Sequence, residues 1–359
     1  MNNKKLTLSL LALVACCLTA CTPQAGKPDT NPTFDAAASP RVVLLNEGIW
    51  GSNNASLSMI DNQKGELANG WFDEANGRGL GDVAQDIVLY GSKLYAVVSE
   101  SGSLEVIDTA SGKSQRVDLG NRYPRYIATD GGYLYISCYN PHSVIRIDTA
   151  TLAIGATCLL GDYHPEGMAI AGGRLFVASS NVSDAQGTYS YDSVIYVVEL
   201  SEFDNPQAIV VGHNPQLVAR LDNSHLVVNY WGDYGEHPAG SALVDANTLS
   251  VVQLDAKLSN MTVHQGLLYG YISTYSSDYS SKTTEYVTID ANATVTPILP
   301  DCAVDRPYGI GVDPRNGDIL IATDGNYSST GSVYCYTRDG ELRWKQPAGY
   351  FPSKFIFLP

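Results

Sequence analysis

From Arg41 to Pro359 the chain repeats itself. YPRYIATDGGYLYISCYNPHSVIRIDTAT, HPEGMAIAGGRLFVASS…DSVIYVVEL and RPYGIGVDPRNGDILIATD…GSVYCYTRDG share one plan. Each has a proline near its start, an apolar run, a tight Gly/Asp/Asn turn, a second run, a variable loop and a third run. The anchors are Ala84, Pro124, Pro165, Pro215, Ser259, Pro307 and Pro352, spaced by 40, 41, 50, 44, 48 and 45 residues. Helical periodicity is nearly absent, and the runs are β-branched and aromatic. A unit of this length, made of short strands, cannot bury its apolar faces alone and must stack on its neighbours.

Six units are complete and a seventh is split. The terminal FPSKFIFLP matches only the first strand of a unit, and RVVLLNEGIWGSNNASLSMIDNQKGEL matches only the later ones. Joined, they close a ring and leave no open sheet edge. The expected fold is therefore all-β: a seven-bladed β-propeller of four-stranded blades over residues 41–359, with one blade shared between the two ends. The units lack the Trp-Asp dipeptide of WD40 repeats, and their Gly-Gly pairs fall at the first hairpin, unlike kelch repeats. Asp61, Asp108, Asp148, Asp245 and Asp290 recur at the end of the third run. An aspartate there accepts from the backbone N–H groups ahead of it and fixes the turn, so these five are expected to be structural.

With strands numbered outward from the axis, the one-two turns are short and the large insertions fall in the two-three loops. Those loops share one face with the links between blades. Trp50, Tyr139, Tyr189, Tyr191, Tyr230, Trp231, Tyr234, Tyr275, Tyr279 and Tyr327 project there, among amides such as Asn229 and Asn326. Rigid aromatics beside adaptable amides and hydroxyls make binding surfaces. Gln85, Arg125, Glu166, Gln216, Asn260, Tyr308 and Lys354 follow the anchors at equivalent or adjacent positions and are expected to ring the channel mouth. They are polar and all different, where a purely structural role would repeat.

The first residues fix the compartment. Lys4 and Lys5 precede an apolar run too short to span a bilayer, the pattern of a signal peptide over residues 1–20. Leu18-Thr19-Ala20-Cys21 resembles the bacterial lipobox, which implies cleavage before Cys21, its lipidation, and anchoring at a membrane through lipid. Residues 21–40 read as a flexible tether. The formal charge of −15, more negative still once Lys4 and Lys5 are removed, argues against nucleic acid. Cys138, Cys158, Cys302 and Cys335 remain in the domain without metal-ligand spacing.

Catalytic patterns are weak. No His-x-x-x-His pair or Gly-x-Ser-x-Gly elbow appears. His164, before Pro165 and Glu166, suggests at most a His–Glu pair or a metal in the channel. The chain is therefore expected not to be an enzyme and to need no cofactor. The alternatives are a propeller enzyme of lactonase or lyase type, or a module binding glycan or protein.

The third-strand pattern of SVIRIDTAT and SLEVIDTAS resembles the YncE-like propellers, and LNEGIWGSNNASLSMID resembles the start of Bacteroidetes-type surface lipoproteins. The best understood of that group are the BtuG-type cobalamin-binding lipoproteins. The resemblance implies a surface protein at the outer membrane that captures cobalamin or a related corrinoid and passes it to a TonB-dependent transporter.

Overall fold

Each blade forms because its runs are apolar on both faces. The strand KLYAVV (Lys93–Val98) is buried from its second residue onward, whereas the outermost strand SQRVD (Ser114–Asp118) is largely exposed. The structure is a computed structural model that describes residues 41–183, 187–276, 282–304 and 306–359. The signal segment 1–20, Cys21, the tether to residue 40 and Tyr279 lie outside the described residues.

Seven sheets result, six of four strands and one of five. The innermost strands are Ala84–Tyr90, Pro124–Asp130, Tyr163–Ala171, Pro215–Arg220, Asn260–His264, Pro307–Val312 and Pro352–Phe357. Each touches the next, and Pro352–Phe357 touches Ala84–Tyr90, so the ring is closed. The closing blade is the split one. Pro352–Phe357 pairs antiparallel with Arg41–Asn46, setting Val42 opposite Phe357 and Leu44 opposite Phe355. The fold is a seven-bladed β-propeller, as the repeat predicts.

The core lies between adjacent sheets. Val97 and Leu104 of one blade interlock with Ile127, Ile136 and Ile145 of the next, nearly all fully buried. Each such side chain contributes about 1.5–3 kcal/mol by leaving water. The repeated aspartates hold turns. Asp148 Oδ1 accepts from the N–H of Ala150 at 3.0 Å and of Thr151 at 2.8 Å, and Asp245 does the same for Asn247 and Thr248. These bonds stabilise the ionised form and hold both carboxyls below the usual aspartate range. Cys138, Cys158 and Cys335 are buried free thiols, and Cys302 is a half-buried one.

Three details depart from the sequence reading. A short helix, Trp71–Asn76, links the split blade to the next; left-handed Gly70 and Gly77 bracket it, and Phe72 is buried beneath it. The insertion after Ser180 is no open loop: Arg174–Ser183 continues past the blade and pairs with Tyr189–Tyr191. Likewise Leu267–Tyr275 and Lys282–Ile289 remain paired out to Tyr275 opposite Lys282. Two of the long loops thus stand on the face as hairpins.

Candidate functional site

Strict strand alternation would turn only every second residue of an innermost strand toward the axis. A register shift breaks that alternation in six blades. It falls at the residues after the anchor. Ala84 faces Val98 and Asp86 faces Val97, leaving Gln85 as the extra residue; Gln216, Tyr308 and Ser353 are the extra residues of their strands. Such bulges bend a strand and re-aim its side chains. Here two consecutive residues reach the channel: Gln85 with Asp86, Arg125 with Tyr126, Ser353 with Lys354. The exception is Asn260, which pairs in register with Tyr271. Gly167 and Gly309 fill the second position in two blades because a Cβ there would strike the backbone of the following innermost strand.

The result is a cavity of about 1440 Å³ on the axis, open on the face of the two-three loops. Below the polar ring, Ile127, Met168, Val218, Ile310 and Phe355 form an apolar girdle, each less than a tenth exposed. Above it, every exposed aromatic among the described residues stands on the loop face: Trp50, Tyr123, Tyr189, Tyr191, Trp231, Tyr234 and Tyr327.

The ring is tied by charge. The Arg125 guanidinium donates to Gln85 Oε1 at 2.6 Å and to Glu166 Oε2 at 3.0 Å, and lies 4.8 Å from the centre of the Tyr139 ring. Glu166 is almost fully buried, and its other oxygen accepts from Tyr139 and from Ser180. Its charge beside Arg125 raises the guanidinium's already high pKa against the opposing effect of burial. Lys354 pairs with Asp86, whose Oδ2 also accepts from the Ile127 N–H at 2.9 Å.

Glu47 enters from the loop after Arg41–Asn46. Its backbone N–H donates to Phe351 O, and its carbonyl accepts from Ala84 N–H, stitching the split blade to the next. Its side chain accepts from Tyr308 Oη at 2.7 Å, and burial pushes its carboxyl up to about 7. Asn260 and Tyr271 in turn donate to the Tyr308 carbonyl.

Gln85, Arg125, Glu166, Gln216, Tyr308, Lys354, Trp231 and Tyr327 all line this one cavity. Tyr139 stands behind Glu166. Trp50 is on the rim outside the lining, and so is Asn326, whose N–H donates to Asp324 in a tight turn. Two sequence-based candidates prove to be framework. Asn229 is fully buried, accepts from Leu217 N–H at 2.8 Å and donates to Leu258 O at 3.2 Å, joining neighbouring blades. Tyr230 turns outward: its hydroxyl donates to Gln253 Oε1 at 2.6 Å, and its ring occupies the space that a side chain at Gly212 or Gly240 would need. His164 packs against His142, Tyr139 and Tyr189 and does not line the cavity. Sequence reasoning missed Glu47, Asp86 and Tyr126; the first sits in the NEG of LNEGIW, the other two one residue beyond the expected ring.

The model of a domain of unknown function, DUF5074, matches residues 42–229, half the chain. The chain belongs to the DUF5074 family. No curated protein matches the sequence of this DUF5074 chain. Solved structures share its frame. A quinonprotein alcohol dehydrogenase-like protein of Bacteroides thetaiotaomicron superimposes with a TM-score of 0.62 at 13% identity, over 88% of this chain and 77% of the other. A protein of Bacteroides uniformis assigned as a 6-phosphogluconolactonase gives 0.61 at 13% identity, over 89% and 99%. Hydrazine synthase of Kuenenia stuttgartiensis gives 0.60 at 18%, over 75% and 88%. At such identity the likeness shows the fold alone. The expectation that this is not an enzyme is withdrawn, because the frame is shared with proteins named for catalysis.

Proposed function

We propose that the funnel captures a large, amide-rich small molecule, a corrinoid before a glycan. In this reading lipid on Cys21 holds the protein at the outer-membrane surface, and the ligand passes to a TonB-dependent transporter. The resemblance to YncE-like and BtuG-type lipoproteins motivates the finer part. The observation that supports binding is the floor itself: polar side chains that differ from blade to blade, set over an apolar girdle. The cavity, about 1440 Å³, exceeds the roughly 300–1,000 Å³ of drug-sized sites. A corrin is a wide disc with an apolar body and an edge of neutral amides. Girdle and tyrosines suit the first, and Gln85, Gln216 and Asn260 suit the second.

Titration with cyanocobalamin by calorimetry is expected to give saturable heat; a flat trace sinks the corrinoid reading. Trp231 and Tyr230 separate rim from frame. Trp231→Ala is expected to weaken binding by about 2 kcal/mol, the scale of an aromatic hot spot, with an unchanged melting temperature. Tyr230→Ala lowers the melting temperature instead. Cys21→Ser is expected to move the protein from the membrane fraction to the soluble one, and a variant still sedimenting with membranes would show another anchor. The second reading is turnover in the same funnel, supported by the enzymes that share the frame. Mass spectrometry of recovered ligand distinguishes the two.

A further inference from the structure

Four carboxyls line the funnel, and one of them has no cation at ion-pair distance among the described residues. Arg125 closes on Glu166, Lys354 on Asp86 and Arg306 on Asp324. Glu47 remains. Arg220, Lys257 and Lys282 also line the cavity, and among the described residues none of them forms an ion pair with Glu47. The strand Ala84–Tyr90 brings Asp86, and Pro124–Asp130 brings Arg125 and Tyr126. Leu267–Tyr275 brings Tyr271, Pro307–Val312 brings Tyr308, and Pro352–Phe357 brings Ser353 and Lys354. The phenols keep their protons, since burial raises all three. Arg125 attracts negative charge at Glu47 and Asp86 repels it, so the two oppose each other. An ionised Glu47 would stand as an unmatched charge above the apolar girdle.

We infer that Glu47 meets the ligand as a carboxylic acid: Oε1–H donates to a neutral carbonyl acceptor, an amide or ester, and the funnel takes up a proton as such a ligand binds. This rests on the funnel being the ligand site. Tyr308 already fills Oε2 as a donor; the Ser353 hydroxyl is the other group at the carboxyl and, like Tyr308, opposes the rise that burial causes. Oε1 is left as the hydroxyl, and Glu47 is partly exposed, its exposure opening on the cavity. A neutral ligand displaces water there and deepens the desolvation that favours the acid. A cationic ligand does the reverse and drives the proton off. Since burial sets the free carboxyl at about 7, affinity for a neutral acceptor is level in mild acid. It falls about tenfold between pH 6 and pH 8.

The experiment follows the carboxyl carbon of Glu47 by NMR across pH, assigned by its absence in Glu47→Gln. Propionamide serves as the neutral probe and propylammonium as the cationic one. The expected result is a midpoint near 7 that rises with propionamide and does not rise with propylammonium. A free midpoint in the ordinary carboxylate range, or one that stays or falls with propionamide, overturns the inference. With cyanocobalamin, wild-type affinity falls about tenfold from pH 6 to 8 and that of Glu47→Gln, which keeps a donor, stays level; an equal slope in both proteins also overturns it. A flat cyanocobalamin trace at every pH sinks only the corrinoid reading, and the propionamide titration then decides.

Discussion

Removing the last eight residues, Pro352 to Pro359, abolishes the cooperative melt of the monomer. The segment is the innermost strand of the split blade, and among the described residues it is the strand that pairs the two ends of the chain in one sheet. Phe355 and Leu358 are buried, and Ile356 and Phe357 pack on the same cores. At about 1.5–3 kcal/mol for each fully buried side chain, their loss approaches the whole stability of a typical domain, about 5–15 kcal/mol. The cut also bares Arg41–Asn46, whose VVLL is entirely buried in the intact ring. An apolar edge of that kind pairs with another copy. Circular dichroism should show a broad or missing transition, and light scattering should show oligomers. A synthetic peptide of the missing residues should restore the monomer. A truncated monomer with the wild-type melting temperature would mean that the ring is closed by something else.

Arg125→Met destabilises the protein by about 3 kcal/mol. That is the lower end of the range for breaking a buried ion pair, because the guanidinium is partly exposed while its partner is not. Met fills the volume of the stem, so the loss reports the charge. Glu166 keeps Tyr139 and Ser180 as donors but loses its cation, and Gln85 loses its donor. The double variant Arg125→Met/Glu166→Gln is expected to recover most of the loss, since the buried charge goes with its partner. Denaturant melts of the four proteins of this cycle provide the measurement. A single variant within about 0.5 kcal/mol of wild type, the usual effect of a surface change, would mean that the pair contributes little to the fold.

The frame was legible because it repeats. Prolines and aspartates recur at fixed offsets, and the two partial units at the ends complement each other in kind. The site was legible only to first order. Arg125, Glu166, Gln216 and Tyr308 follow their prolines directly, so alignment of the units found them. Asp86 and Tyr126 escaped because alternation turns the next residue away from the axis. The bulge that brings it back leaves no periodic trace in hydrophobicity. Glu47 escaped because it comes from a two-three loop, where the repeat gives no register. Asn229 and Tyr230 misled in the opposite sense. Their place beside an aromatic loop reads as binding surface, but Gly212 and Gly240 open room for the Tyr230 ring at the side of the blade. Gly212 comes from another segment, and that Gly240 at the loop's own end packs on this ring is not visible in the loop's sequence.

The bulges separate two kinds of information within one strand. In the bulged blades the ladder resumes one residue later, with Gln85, Gln216 or Tyr308 at the extra position. A change there alters what the funnel holds without altering how the blade pairs. Mutation can therefore rewrite the ring one blade at a time wherever the extra residue, unlike Arg125 with Glu166, holds no buried ion pair. Specificity can thus change residue by residue at the bulges while the ladders that hold the ring stay in register.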